Sequence, residues 1–135
     1  MMIDIPTYAL LALRVYKAEL DEAVVNGPSN RPHTPQGFSQ KKWETDNLSG
    51  LSYGIYQNQS TNEVVISFSG TNTWVDWLEN LGISDAQLVQ AALISAQAIK
   101  DYGFDKVTFT GHSLGGGIAS AMAVWFDRPA VVFDE

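Results

Sequence analysis

Hydrophobic and polar positions along this chain alternate in short runs separated by stretches of helical period. Asp4 stands before Pro6 as a helix cap would, and Tyr8, Leu11, Ala12, Val15 and Ala18 then form an apolar stripe opposite Arg14, Lys17 and Glu19. This stripe predicts a first helix that leans on a sheet. Residues 26–47 are rich in proline, glycine, serine and asparagine and lack a sustained period, so they read as a long surface excursion. Leu51-Ser52-Tyr53-Gly54-Ile55-Tyr56 alternates as a strand. The turn residues Asn58-Gln59-Ser60-Thr61-Asn62 would fold it antiparallel onto Val64-Val65-Ile66-Ser67-Phe68, a continuous apolar run typical of a buried central strand. Ser84 with Gln87 forms a capping box for a helix through about Tyr102, with Leu88, Ala91, Ala92, Ser95, Ala98 and Ile99 inward. Val107-Thr108-Phe109-Thr110 is another strand, residues 118–126 read as the next helix, and Pro129 to Glu135 as a last strand. From Val64 onward strand, helix and strand alternate, which implies a mainly parallel sheet flanked by helices, an α/β class.

The break after Thr110 carries the chemistry. Thr110-Gly111-His112-Ser113-Leu114-Gly115-Gly116-Gly117 holds a G-x-S-x-G between a strand and a helix of small residues. A turn this sharp forces the serine backbone into a strained conformation and leaves no room for neighbouring β-carbons, so it lifts the Ser113 hydroxyl into the open. It also leaves the Leu114 amide at the start of a helix, where unpaired N–H groups and the helix dipole favour negative charge. The bland alternative is a buried capping serine. His112 adjoins Ser113, but neighbours on a strand point to opposite faces, so it reads as a structural neighbour and not as the base. The buried strand ends in Ser69-Gly70-Thr71, where Gly70 permits an unusual dihedral and Thr71 offers an amide and a hydroxyl to a developing oxyanion; the same three residues also suit a simple turn.

Phe68-Ser69-Gly70-Thr71, followed by Trp74-Val75-Asp76-Trp77-Leu78-Glu79-Asn80-Leu81, and the Gly111-His112-Ser113-Leu114-Gly115-Gly116 elbow together resemble the class 3 lipases, an α/β-hydrolase family of lipases and phospholipases. The resemblance spans roughly residues 50–135. It implies that Ser113 is the nucleophile and that Thr71 and Leu114 form the oxyanion hole. Ser69 stands where the family usually has arginine, and Asn80 where many relatives have an aspartate. The resemblance also places residues 73–80 where many members carry a lid. Trp74, Trp77 and Leu78 lie on one helical stripe and are candidate lid or acyl contacts, although such a stripe equally suits a core. The run from Trp125 to Glu135 resembles bacterial phospholipase effectors that are exported without a signal peptide.

Composition narrows this picture. At 135 residues with 45% hydrophobic content, the length fits one domain, read here as a partial lipase domain over residues 1–135. In α/β-hydrolases the triad runs serine, acid, histidine, yet no histidine follows Ser113, and His33 lies in the loop-like stretch. Asp134 would stand at a strand terminus, whereas the resemblance expects the acid after a later strand. The expectation is therefore an N-terminal part of a lipase, almost inert alone, whose acid and base come from a C-terminal remainder or a complementary chain that also covers the strand edge near residues 131–133. Without cysteine there is neither a disulfide framework nor a thiol nucleophile. No metal-ligand cluster is visible, and the proposed chemistry requires neither metal nor cofactor.

A net charge of −7, concentrated after Gly50, opposes nucleic acid and anionic membranes, so contact with a lipid interface would be transient and hydrophobic; Lys41-Lys42-Trp43 is a small basic-aromatic spot. The N-terminus lacks the pattern of a signal peptide and no stretch is long enough to span a bilayer, which makes a cytoplasmic location the default expectation. Lipid esters are the expected substrates. The elbow alone leaves open a thioesterase or peptidase on the same fold, and a non-catalytic module that binds a lipid or a partner protein.

Overall fold

The computed structural model describes residues 3–16, 34–46, 49–69 and 85–133. Helix α1 (Ile5–Tyr16) precedes strands β1 (Phe38–Thr45), β2 (Ser52–Asn58) and β3 (Val64–Ser69). Helix α2 (Asp85–Tyr102), a short 3-10 turn (Phe104–Lys106), β4 (Val107–His112), α3 (Leu114–Phe126) and β5 (Ala130–Phe133) follow. The five strands form one sheet in the order β1-β2-β3-β4-β5. The pairs β1/β2 and β2/β3 are antiparallel, while β3/β4 and β4/β5 are parallel. The sheet is thus mixed, with the expected parallel arrangement confined to β3, β4 and β5.

Alternation along the central strands sorts side chains onto two faces. Val64, Ile66 and Phe68 of β3 and Val107 and Phe109 of β4 face Ala91 and Ala98 of α2 and Ile118 and Met122 of α3. Phe68 and Phe109 stack with ring centroids 6.1 Å apart. Each such buried ring contributes about 1.5–3 kcal/mol relative to exposure. On the opposite face Val65 and Tyr56 meet Tyr8 and Leu11 of α1.

Two polar bonds fix that helix on the sheet. The Ser67 hydroxyl donates to the Leu11 carbonyl at 2.9 Å, and the Tyr8 and Thr108 hydroxyls pair at 2.8 Å. Burial raises the Tyr8 phenol above its ordinary pKa, against the lowering effect of the Thr108 bond. The predicted cap is present, since Asp4 Oδ1 accepts the Thr7 N–H at 2.9 Å. Ser84, and with it the capping box expected for α2, lies outside the described residues.

One expectation fails. Residues 38–45, read as part of a surface excursion, form β1. The register of β1 on β2 shifts between Gln40 and Lys42, leaving Lys41 as the extra residue of a bulge. Phe38 lies opposite Asn58 and Gln40 opposite Tyr56, but Lys42 lies opposite Ile55 and Glu44 opposite Tyr53. Directly opposed residues share a face. The bulge therefore moves even-numbered side chains from the α1 face to the α2 face in mid-strand, and no single period of two describes the segment. The helix after the elbow also starts earlier than its apolar run suggested, at Leu114 and not Ile118.

Candidate active site

Strand β4 ends at His112, and α3 begins at Leu114, so one residue makes the whole turn. Ser113 has φ 59° and ψ −121°, a conformation that costs a non-glycine residue on the order of 1–3 kcal/mol. Its hydroxyl makes no capping hydrogen bond to the helix, which removes the capping-serine alternative. The residue is half-buried. Its backbone is held at both ends: the Ser113 N–H donates to the Phe133 carbonyl at 2.9 Å, and its carbonyl accepts the Gly117 N–H at 3.3 Å.

The flanking glycines allow this geometry because backbone meets backbone. A β-carbon on Gly115 would lie 1.9 Å from the Phe68 carbonyl oxygen, and one on Gly111 would lie 2.2 Å from the Gly115 carbonyl oxygen. These contacts press the start of α3 onto the ends of β3 and β4. The C-terminal ends of β3 and β4 lie level, with Phe68 opposite Gly111. The end of β3 at Ser69 thus lies beside the elbow. As the first residue of α3, Leu114 has no carbonyl of its own helix for its amide, which leaves a backbone donor next to Ser113.

Of the residues singled out from the sequence, Ser113 and Leu114 are brought together at this turn. Thr71, Trp74, Trp77, Leu78 and Asp134 lie outside the described residues, as does His33. His112 closes β4 opposite Phe133. The Phe133 carbonyl, which holds the Ser113 amide, was not foreseen; a backbone acceptor leaves no trace in residue type. Among the described residues no cluster of His, Asp or Glu could hold a metal ion, and no helix is long and apolar enough to cross a membrane.

The chain is similar in sequence and in fold to known proteins. The extracellular phospholipase A1 of Serratia liquefaciens is 40% identical over 90 residues, covering 64% of this chain and 27% of that protein. The lipase of Rhizopus microsporus var. chinensis superposes with a TM-score of 0.62 at 16% identity, over 96% of this chain and 55% of that one. A propeptide complex of Rhizomucor miehei lipase gives 0.63 at 15% identity, over 96% and 49%. The chain spans about a quarter of the phospholipase and about half of each fungal lipase. At such low identity the fungal enzymes show the fold, which is α/β-hydrolase-like. The model of the Tle-like phospholipase domain matches residues 7–135. The chain belongs to that phospholipase family, and its fold is that of the class 3 lipases.

Proposed function

We propose that this chain carries the nucleophile of a serine hydrolase acting on phospholipid or acylglycerol esters. The observation that carries the reading is Ser113: a strained, half-buried serine with no capping role, on a turn built by backbone contacts at Gly111 and Gly115. Nothing in a structural turn calls for serine at φ 59°, where glycine would be free of strain. The 40% identity to a protein named as a phospholipase A1 supports a lipid ester as the substrate.

In the proposed reaction the Ser113 hydroxyl oxygen attacks the ester carbonyl while its proton passes to a histidine. The carbonyl oxygen becomes an oxyanion facing the Leu114 amide and Thr71. Collapse releases the alcohol, which takes the proton from the histidine, and leaves an acyl-serine that water hydrolyses by the same steps. We assign the histidine and its acid to sequence beyond residue 135, because the elbow precedes both in the α/β-hydrolase order and the chain spans only part of its relatives. Trp74, Trp77 and Leu78 are assigned to the acyl side of the site by the same family pattern.

Hydrolysis of phosphatidylcholine by the full-length protein, with and without Ser113→Ala, tests this. The substitution is expected to lower kcat by at least about a thousand-fold, with the folded state retained. Equal activity in the two proteins would remove Ser113 from the chemistry. Failure of a fluorophosphonate to label the native serine, together with silence on any ester, would favour a lipid-binding module.

A further inference from the structure

A concavity among the described residues lies away from the elbow. It is a cavity of about 490 Å³ between the β1/β2 edge of the sheet and one flank of α2, and Ser113 does not line it. Its size suits a small-molecule ligand, for which pockets span roughly 300–1,000 Å³. The β1 bulge creates its polar wall. By shifting the register at Lys41 it brings Lys42 and Glu44 opposite Ile55 and Tyr53, on the face that α2 covers, and Lys41 and Lys42 both line the cavity. Across from them, Asp101 and Tyr102 close the end of α2.

The charges on these walls are of both signs: Lys41, Lys42 and Glu44 on β1, and Asp101 near the end of α2. Two ammonium groups sit on consecutive residues of β1. The carboxylates are only partly engaged: Glu44 accepts the Tyr53 hydroxyl at 2.8 Å, and Asp101 accepts the Gln97 amide at 2.9 Å, leaving further acceptor sites on each. A phosphate suits the lysines, and a substituted ammonium suits a carboxylate beside a tyrosine ring. With a net charge of −7 the chain repels a simple anion, whereas a zwitterion carries no net charge to repel. Leu93 gives the α2 side of the cavity an aliphatic edge. Leu93 lines the cavity and is 62% exposed, and Val89, one turn before it on α2, is 59% exposed.

We propose that this cavity is an accessory site for a zwitterionic phospholipid headgroup, with its phosphate on Lys41 and Lys42, its ammonium toward Asp101 and Tyr102, and its acyl portion along Leu93 and Val89. The inference rests on the lipid reading of the chain but not on Ser113. The full-length protein is therefore tested as its Ser113→Ala form, by calorimetric titration with dodecylphosphocholine below its micelle concentration. A site failure and a catalytic failure are thereby kept apart.

Binding is expected to weaken at least about tenfold when Lys41→Glu and Lys42→Glu are combined, as loss of charge-assisted hydrogen bonds to phosphate requires. It is expected to persist when both become arginine, and to change less than about twofold with Lys100→Glu, an exposed lysine outside the cavity that makes the same kind of charge change. Asp101→Asn should weaken dodecylphosphocholine about threefold and leave dodecyl phosphate unaffected. Thermal unfolding of each variant verifies the fold. Undiminished binding to the double glutamate variant overturns the proposal, as does equally tight binding of chainless glycerophosphocholine, which would remove the lipid from it.

Discussion

The elbow between β4 and α3 and the bulge in β1 are both departures from regular structure, but they are made by different means. At the elbow, backbone is forced against backbone, and only glycine at 111 and 115 satisfies the contacts. In β1 one additional residue shifts a register, and many residue types would serve at Lys41. The first device constrains sequence tightly and tolerates little change. The second leaves the sequence free, yet it decides which side chains reach the α2 face. A feature built from close approach is therefore visible in residue identity, whereas one built from register is visible only in three dimensions.

Substitutions can break this contrast. The largest effect on stability is expected for Gly115→Ala, whose methyl group would meet the Phe68 carbonyl oxygen with no side-chain rotation to relieve it. A loss of about 3 kcal/mol or more is expected, measured by urea unfolding of the purified chain. Deletion of Lys41 should cost less, at most about 2 kcal/mol, because the strand can re-pair as a regular ladder in which Gln40 stays on Tyr56 and Lys42 on Ile55, and only the local twist of the bulge is lost. Hydrogen exchange should show the loss confined to β1 and β2. If the deletion proves costlier than Gly115→Ala, the ranking of the two devices is reversed.

The smallest effect sharpens the contrast with a site that is neither elbow nor bulge. Tyr8→Phe removes one buried hydroxyl pair and should cost about 1 kcal/mol at neutral pH. The sign with pH follows from its raised folded pKa. The native state holds the phenol proton where the unfolded chain loses it, so this stabilisation is complete below about pH 10 and declines as pH rises above it. Tyr53, also raised by burial and by its bond to Glu44, acts in the same direction. Urea midpoints at pH 7 and pH 10.5 should therefore converge in the phenylalanine variant relative to the parent. An unchanged alkaline slope would remove Tyr8 from the effect.

Much of the fold was legible in the chain. The runs at residues 51–56, 64–68 and 107–110 predicted the strands because each keeps a short alternation or an unbroken apolar run along its whole length, as strands covered on both faces do. The glycines around Ser113 predicted the elbow because no other residue type fits there. Strand β1 was not legible, since the face presented by Phe38 and Gln40 is abandoned by Lys42 and Glu44. The first turn of α3 was missed because three glycines have poor helix propensity; packing against β3 and β5 overrides it. The sharp turn at Ser113 was legible, while the carbonyl of Phe133 that holds its amide was not, since every residue carries one.

The bond between Tyr8 and Thr108 also bears on how the chain is made. The two residues are 100 positions apart. A ribosome adding 5–20 residues per second delivers Thr108 roughly 5–20 s after Tyr8. During that interval α1 can meet β2 and β3 through Tyr56, Val65 and Ser67, but it lacks β4 and the hydroxyl of Thr108 that completes its bonding to the sheet. The docking of α1 is completed only when β4 has been made, although the residues of α1 are among the first of this segment.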